Sequence, residues 1–219
     1  MSVSRGVCLS SPFTLTALHT LGTWTTCCRS GKRHVYPPRP FTVSQDDLHL
    51  VSRSEWRARE SREIHHMDKP VSLVFIHHTS MKSCTTVEEG CEEMRVIQNF
   101  HMDDRGWDDI GYNFLVSEAG HVFIGRDWTR IGAHTYGFNR VAIAISVMGN
   151  FTERPPNKLT IQVVKNVIDS GVAQGKITPD YKVYGHRDVR ETECPGDKLY
   201  EIIKTWDHAG HVPPERPAV

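Results

Sequence analysis

The chain has 219 residues, of which 38 % are hydrophobic and 24 % are charged, so its length suits about one to one and a half domains and its composition suits a folded core. It carries 26 Lys and Arg against 26 Asp and Glu, and this net charge of zero argues against a general nucleic-acid-binding protein. The longest apolar run, residues 141–145, is far shorter than the roughly 20 residues of a membrane span, so we expect none. Thirteen histidines in a chain with only six cysteines direct the search towards metal or acid–base chemistry.

The first 45 residues differ from the rest of the chain. They contain five basic residues and no Asp or Glu, so their charge is +5 and that of residues 46–219 is −5. Three interpretations remain open: a weak secretory signal with its apolar part at 7–24, a basic and Ser-rich transit-type presequence, or a disordered leader that ends in prolines. We divide the chain into this leader, one domain over 46–212 and a short tail over 213–219.

Short apolar runs alternate with amphipathic segments along the domain. The predicted elements are a buried strand over 71–77, a helix over 86–103, a hairpin over 112–126, a buried strand over 142–149, a helix over 159–174, a brief strand over 183–186 and a helix over 196–206. Thr85 or Thr86 is expected to cap the first helix. In the second helix, Leu159 and Val163 belong to the side predicted to pack. Strands interleaved with helices predict an α/β fold, a sheet covered by helices.

Two of the predicted strands end in histidine. His77 closes the first strand, His186 closes the brief strand near the C-terminus, and Cys194 follows eight residues later. Sites in α/β sheets form at strand ends, and a His, His and Cys set with an open fourth position is typical of catalytic zinc. The alternative is a buried core histidine and an inert thiol, and the spacing of these residues does not separate the two.

Four segments resemble one known family. They are IHHTS (76–80), RGWDDIGYNFLVSEAGHVFIGR (105–126), GAHTYGFN (132–139) and GHRDVRETECPGDKLY (185–200). These segments look like those of peptidoglycan recognition proteins of the zinc amidase type, a fold shared with phage lysozyme-type N-acetylmuramoyl-L-alanine amidases. The resemblance covers about residues 49–210. It implies a mixed, mostly parallel central sheet flanked by three main helices, with zinc at the floor of a peptidoglycan-binding groove.

The resemblance also implies roles for individual residues. His77, His186 and Cys194 match the zinc ligands, Tyr112 matches the tyrosine beside the metal, and Thr192 matches a position that carries Thr or Lys in active members. The positions that line the groove are His78, Thr79, His101, Arg105, Gly106, Trp107, His134 and Asn139.

Three of these implications have competing interpretations. The family carries a disulfide at the positions of Cys84 and Cys91, where the alternative is two free thiols. From the residues alone, Tyr112 reads as an aromatic that packs on the sheet. Thr192 likewise reads as a helix-end cap.

The expected activity is zinc-dependent hydrolysis of the amide between N-acetylmuramic acid and L-alanine, with peptidoglycan recognition in innate immunity. The alternative is a non-catalytic peptidoglycan-binding receptor or opsonin, because many relatives lack the cysteine that this chain retains as Cys194. The pair Gly106 and Trp107 goes with diaminopimelate-type stem peptides in this family. Arg140 is a candidate partner for the diaminopimelate carboxylate, or else a solvated loop arginine. We expect a secreted monomer, although the leader is atypical of a signal peptide.

Overall fold

A computed structural model describes residues 48–217, and the strands of this part of the chain form one six-stranded sheet. The leader over 1–45 therefore lies outside the described residues. The strands are β1 (His49–Val51), β2 (Val71–His78), β3 (Phe114–Val116), β4 (His121–Ile124), β5 (Ala142–Val147) and β6 (Ile177–Gly185). The helices are α1 (Val87–Asn99), α2 (Lys158–Ala173) and α3 (Asp197–Ile203). None of these helices has the length and apolar character needed to cross a bilayer.

The sheet is mixed but mostly parallel. Its order is β1-β4-β3-β5-β2-β6, and only the hairpin pair β3 and β4 runs antiparallel. The predicted α/β class, the mostly parallel sheet and the three main helices are confirmed. Alternation of side chains along β2 sends Val74 and Ile76 to one face, and Phe75 and His77 to the other.

Each face of the sheet is covered by a hydrophobic layer. Helices α2 and α3 pack on the face of Val74 and Ile76, where residues such as Val164 and Leu199 are buried. Helix α1 packs on the opposite face through Met94 and Ile97. It approaches closely because Gly90 has no side chain: a Cβ there would lie 2.1 Å from the ring of Phe123. The face that carries His77 therefore holds α1, and the groove described below lies on it.

The start of α1 agrees with the sequence, and its end differs. Thr86 is the N-cap, and its hydroxyl accepts a hydrogen bond from the N–H of Glu89 at 3.2 Å. The α-helix ends at Asn99, and the chain continues as a wider π-helical turn over Phe100–Asp104. That turn buries His101, which the apolar periodicity had placed on the packed face of the predicted helix.

One residue of the predicted core is exposed. Leu159 was expected on the packed side of α2, yet 52 % of it is accessible to solvent. It lies in the first turn of that helix, beside Gly120 of the β3–β4 turn, which has no side chain to cover it. The expectation for Leu159 was wrong, whereas Val163, further along the same helix, is buried as predicted.

Candidate metal centre and groove

Parallel pairing of β2 and β6 brings His77 and His186 together. Ile76 is paired with Gly185, so the residue after each lies at the same edge of the sheet. The rings of His77 and His186 are 4.5 Å apart between centroids. Asp188 fixes the turn that follows β6, because its carboxylate accepts the Gly185 N–H at 2.8 Å and the Tyr200 hydroxyl at 2.7 Å.

Cys194 reaches the two histidines on the loop between β6 and α3. The N–H of Arg187 donates to the carbonyl of Cys194 at 3.0 Å, and this bond folds the loop back onto the turn after β6. Arg187 also binds Asp197 at 2.6 Å, which ties the same turn to the start of α3. The hydroxyl of Thr192 accepts the N–H of Cys194 at 3.2 Å, so Thr192 lies at the mouth of this site and shapes its loop.

These three side chains fit a zinc ion. Ligand atoms of His77, His186 and Cys194 all lie within 4.8 Å of one another. The Sγ of Cys194 is 3.6 Å from Nδ1 of His77. Two ligands at the usual zinc–nitrogen and zinc–sulfur distances on a tetrahedral ion are themselves about 3.6 Å apart. The donor set and this separation therefore suit zinc with Nδ1 of His77 facing the metal.

Tyr112 lies beside the candidate metal centre. Its ring centroid is 5.3 Å from that of His77 and 5.6 Å from that of His101. Burial, with the nearby Cys194 as a smaller cause, raises the pKa of the Tyr112 phenol well above its ordinary value. The phenol therefore keeps its proton across the physiological range and is available as a hydrogen-bond donor.

Burial also keeps the groove histidines neutral. It is the largest cause that lowers the pKa of His78, His101 and His186 to about 4 and that of His134 to about 3. Burial is also the largest cause that lowers the pKa of His77 well below its ordinary value. Neutral imidazole is the form that binds a metal ion. Burial raises the pKa of the Cys194 thiol to about 12, so zinc binding must displace its proton.

A groove of about 820 Å³ opens above these residues. Its lining includes most of the residues that the resemblance implied, namely His77, His78, His101, Arg105, Trp107, Tyr112, His134, Asn139, His186, Thr192 and Cys194. The indole of Trp107 packs against His101, with 4.6 Å between ring centroids. The structure thus brings both candidate catalytic residues and all three candidate ligands to one surface.

Three expected groove residues are not among those that line this cavity. The hydroxyl of Thr79 accepts the N–H of Gly149 at 2.9 Å, which clamps the loop after β2. Gly106 has a φ of +70° and forms the turn that presents Trp107. Arg140 is exposed, one residue beyond Asn139.

Sequence reasoning missed some of the lining. Additional lining residues are Ser80, Phe100, Ala133, Thr135, Tyr136, Arg190 and Glu193. Six of these seven lie inside quoted segments, so their proximity to His78, His134 or Cys194 in the chain was the available signal. Phe100 lies one residue before the predicted groove histidine His101.

Comparison with known proteins identifies the family. Residues 67–197 match the family described as N-acetylmuramoyl-L-alanine amidase. Peptidoglycan recognition protein 1 of Bos taurus is 40 % identical over 167 residues, covering 76 % of this chain and 88 % of that protein. The chain belongs to the peptidoglycan recognition protein family.

Solved structures of peptidoglycan recognition proteins share this fold. Wild-type Drosophila PGRP-LB is 39 % identical with a TM-score of 0.74, and the match covers 75 % of this chain and 98 % of that one. Peptidoglycan recognition protein LE, solved in complex with tracheal cytotoxin, a monomeric diaminopimelic acid-type peptidoglycan, is 37 % identical with a TM-score of 0.74. That match covers 75 % of this chain and 97 % of LE.

The disulfide that the family resemblance implied is not formed in the structure. Cys84, Cys91 and Cys194 are all free thiols within the described part of the chain. Cys84 lies buried before the N-cap of α1, and its thiol donates to the carboxylate of Glu93 at 3.2 Å. Cys91 is partly exposed in the second turn of the helix. A bond between Cys84 and Cys91 therefore stays a prediction.

Proposed function

We propose that this chain is a zinc-dependent N-acetylmuramoyl-L-alanine amidase, which hydrolyses the amide between the lactyl group of N-acetylmuramic acid and L-alanine. The observation that carries this proposal is the His77, His186 and Cys194 set, within 4.8 Å of one another in a groove that Tyr112 also lines. Three ligands leave a tetrahedral metal one open position, as in catalytic zinc sites. A structural zinc site would instead be closed by a fourth protein ligand.

Zinc held by these residues would supply the Lewis acidity that activates a water and polarises the amide carbonyl. The protein's own part is to place the three ligand side chains in the protonation state that binds zinc, which is neutral for the two histidines and ionised for the cysteine. The edge of the sheet places His77 and His186. The groove buries the reacting centre, since His77 is only 1 % exposed. Electrostatic interactions are stronger in such a partly dry site than in open water.

Tyr112 is proposed to stabilise the charge that develops on the carbonyl oxygen. A phenol donor placed beside the reacting carbon acts like a donor of an oxyanion hole. Thr192, exposed at the mouth of the site, is proposed to hold the attacking water or the substrate through its hydroxyl. Its present bond to the N–H of Cys194 uses an oxygen lone pair, so its own proton remains free to donate.

The remaining groove residues are proposed to bind the polymer. His78, His101, Arg105, Trp107 and His134 present aromatic faces and polar atoms along the cavity. We propose a diaminopimelate-type substrate, because Gly106 and Trp107 form the pair that goes with it in the family. The complex of the LE relative with tracheal cytotoxin supports this class. Thr79, Asn139 and Arg140 are proposed to act from the rim or by holding the groove loops.

Secretion, a monomeric state and a role in innate immunity are proposed on family membership alone. The proposed domain over 46–212 contains the whole matched segment. Residues 1–45 would be the targeting or disordered leader.

The deciding experiment measures bond cleavage. Purified diaminopimelate-type peptidoglycan is incubated with the full chain and zinc, and soluble products are identified by mass spectrometry. An amidase releases stem peptides with a free L-alanine amino terminus and leaves intact glycan. If the protein sediments with the polymer but releases no stem peptide, it is a non-catalytic receptor or opsonin instead.

A further inference from the structure

A buried threonine links the candidate zinc ligand His77 to the groove. The Oγ1 atom of Thr135 lies 3.3 Å from Nε2 of His77 and 2.9 Å from Nδ1 of His134. Thr135 is completely buried. One hydroxyl therefore bridges two imidazoles, on the side of His77 that faces away from Cys194.

The side chain of Asn139 holds the loop that carries this hydroxyl. The side-chain oxygen of Asn139 accepts the N–H of His134 at 3.0 Å and the N–H of Thr135 at 2.9 Å. These two bonds close the loop that carries both residues. The geometry of the bridge thus depends on a clamped loop and on strand β2, rather than on a freely rotating side chain.

Zinc binding to His77 would decide which atom donates in each hydrogen bond between His77, Thr135 and His134. When Nδ1 of a neutral His77 gives its lone pair to a metal, the ring proton must be on Nε2. That N–H then donates to Thr135 Oγ1. The single hydroxyl proton of Thr135 is left for Nδ1 of His134, its other recorded partner.

The same logic assigns the proton of His134. If Nδ1 of His134 accepts a hydrogen bond, its ring proton is on Nε2. That atom is buried and has no hydrogen-bond partner among the described residues, and His134 is one of the residues that line the groove. A donor in this position is complementary to a carbonyl oxygen of the muropeptide.

We propose that Thr135 is a positioning residue that orients His77 for zinc and makes His134 a hydrogen-bond donor to the substrate through Nε2–H. The proposal rests on the proposed zinc site. It adds a partner outside the ligand set that selects one tautomer on each of two histidines. Partners of this kind orient metal-binding histidines and raise metal affinity.

A competing arrangement is available to His134. The ring also has a backbone hydrogen-bonding partner in Ala142, and its proton could instead be carried on Nδ1. In that tautomer Nδ1–H of His134 would donate to Thr135 Oγ1, and Nε2 would be an acceptor that cannot donate to the substrate. The two arrangements predict opposite protonation of the same imidazole.

The experiment uses the full zinc-loaded chain with ¹⁵N-labelled histidine. Long-range ¹H–¹⁵N correlation spectra report which ring nitrogen carries the proton, and a His134→Asn spectrum assigns the His134 signals. Zinc affinity is measured by competition with a chelator for wild type, Thr135→Val and Thr135→Ser. Valine keeps the shape and removes the hydroxyl, whereas serine keeps the hydroxyl.

We expect His134 in the Nε2–H form in the wild type, about 10-fold weaker zinc binding for Thr135→Val and near-wild-type affinity for Thr135→Ser. An Nδ1–H signal for His134 in the wild type overturns the proposal without any variant, and so does unchanged zinc affinity in a folded Thr135→Val protein. Both failures leave the amidase proposal intact if the wild type binds zinc and releases stem peptide. A wild type that binds no zinc overturns both.

Discussion

Nδ1 of His77 and Sγ of Cys194 lie 3.6 Å apart, although 117 positions separate the two residues in the chain. Parallel pairing of β2 with β6 brings His186 beside His77, and the bond between Arg187 and the Cys194 carbonyl returns the loop to the same point. The strand pairing and the loop contact both consist of backbone hydrogen bonds. The fold itself therefore brings the three side chains of the ligand set together.

The first prediction is one zinc per chain, removable without unfolding. An α/β core of this size does not depend on a single ion for its stability. Chelation should abolish stem-peptide release and leave the far-ultraviolet circular dichroism spectrum unchanged, and added zinc should restore activity. Elemental analysis that finds no zinc after purification in zinc-supplemented buffer would count against the site.

The second prediction separates the oxyanion donor from the metal. Tyr112→Phe keeps the buried ring beside His77 and removes only the hydroxyl group. Turnover should fall about 100-fold or more, while zinc content stays at the wild-type level. Wild-type turnover in this variant would show that Tyr112 merely packs against the sheet.

The third prediction concerns the stem peptide. The initial rate on diaminopimelate-type peptidoglycan should exceed that on the lysine type, and Arg140→Ala should reduce this ratio by about 10-fold if a charge-assisted hydrogen bond is lost. The ratio of the two rates corrects for any general loss of stability. Equal rates in the wild type would refute the substrate class, and an unchanged ratio in Arg140→Ala would refute only the role of Arg140.

The fourth prediction concerns pH and His101. Its Nδ1 accepts the N–H of Gly111 at 3.0 Å, and burial lowers its pKa to about 4 from the ordinary value of 6.5. Between these values the unfolded chain binds the proton and the folded chain does not, so the free energy of unfolding falls as the pH drops from about 6.5 to about 4. His101 accounts for about 3 kcal/mol of that fall.

The measurement is urea unfolding of wild type and His101→Asn across this pH range. Asparagine offers an acceptor for the Gly111 N–H but does not titrate. The free energy of unfolding of the variant should fall less steeply with falling pH than that of the wild type. The difference in slope corresponds to the uptake of at most about one proton per molecule on unfolding. Identical slopes would mean that His101 is not held neutral by the fold. Other buried histidines contribute equally to both proteins, so the difference isolates His101.

The elements that sequence reasoning predicted share strong apolar patterns. β2 and β5 are nearly continuous apolar runs because both of their faces are covered, and such runs are recognisable without a structure. β1 was missed because its three residues are too few to show a period. The first half of β6 was missed because it lies at the edge of the sheet, where residues such as Asp180 and Lys182 are exposed and read as a loop.

The residues of the candidate site likewise divide into those that the sequence predicted and those that it did not. His77 and His186 were found from their positions at strand ends, and Tyr112 only through a family pattern, since a tyrosine next to a strand has no signature of its own. Thr135 lies next to His134 in a quoted segment, but its role was not predictable, because that role depends on distances to two rings, one of them on a distant strand. Tyr136, 70 % exposed at the groove, had no periodicity to mark it.

The most direct test of the account is a pair of cysteine variants assayed for zinc content, turnover and sedimentation with insoluble peptidoglycan. Cys194→Ser replaces a thiolate ligand by a hydroxyl, which binds zinc poorly near neutral pH. Cys91→Ser makes the same substitution in α1, outside the groove lining, and controls for loss of a cysteine, whether Cys91 is a free thiol or bonded to Cys84. We predict that Cys194→Ser loses zinc and stem-peptide release but still sediments with the polymer, while Cys91→Ser keeps all three properties. Wild-type turnover in Cys194→Ser would contradict the zinc mechanism, and loss of polymer binding by the folded variant would contradict the separation of groove from metal.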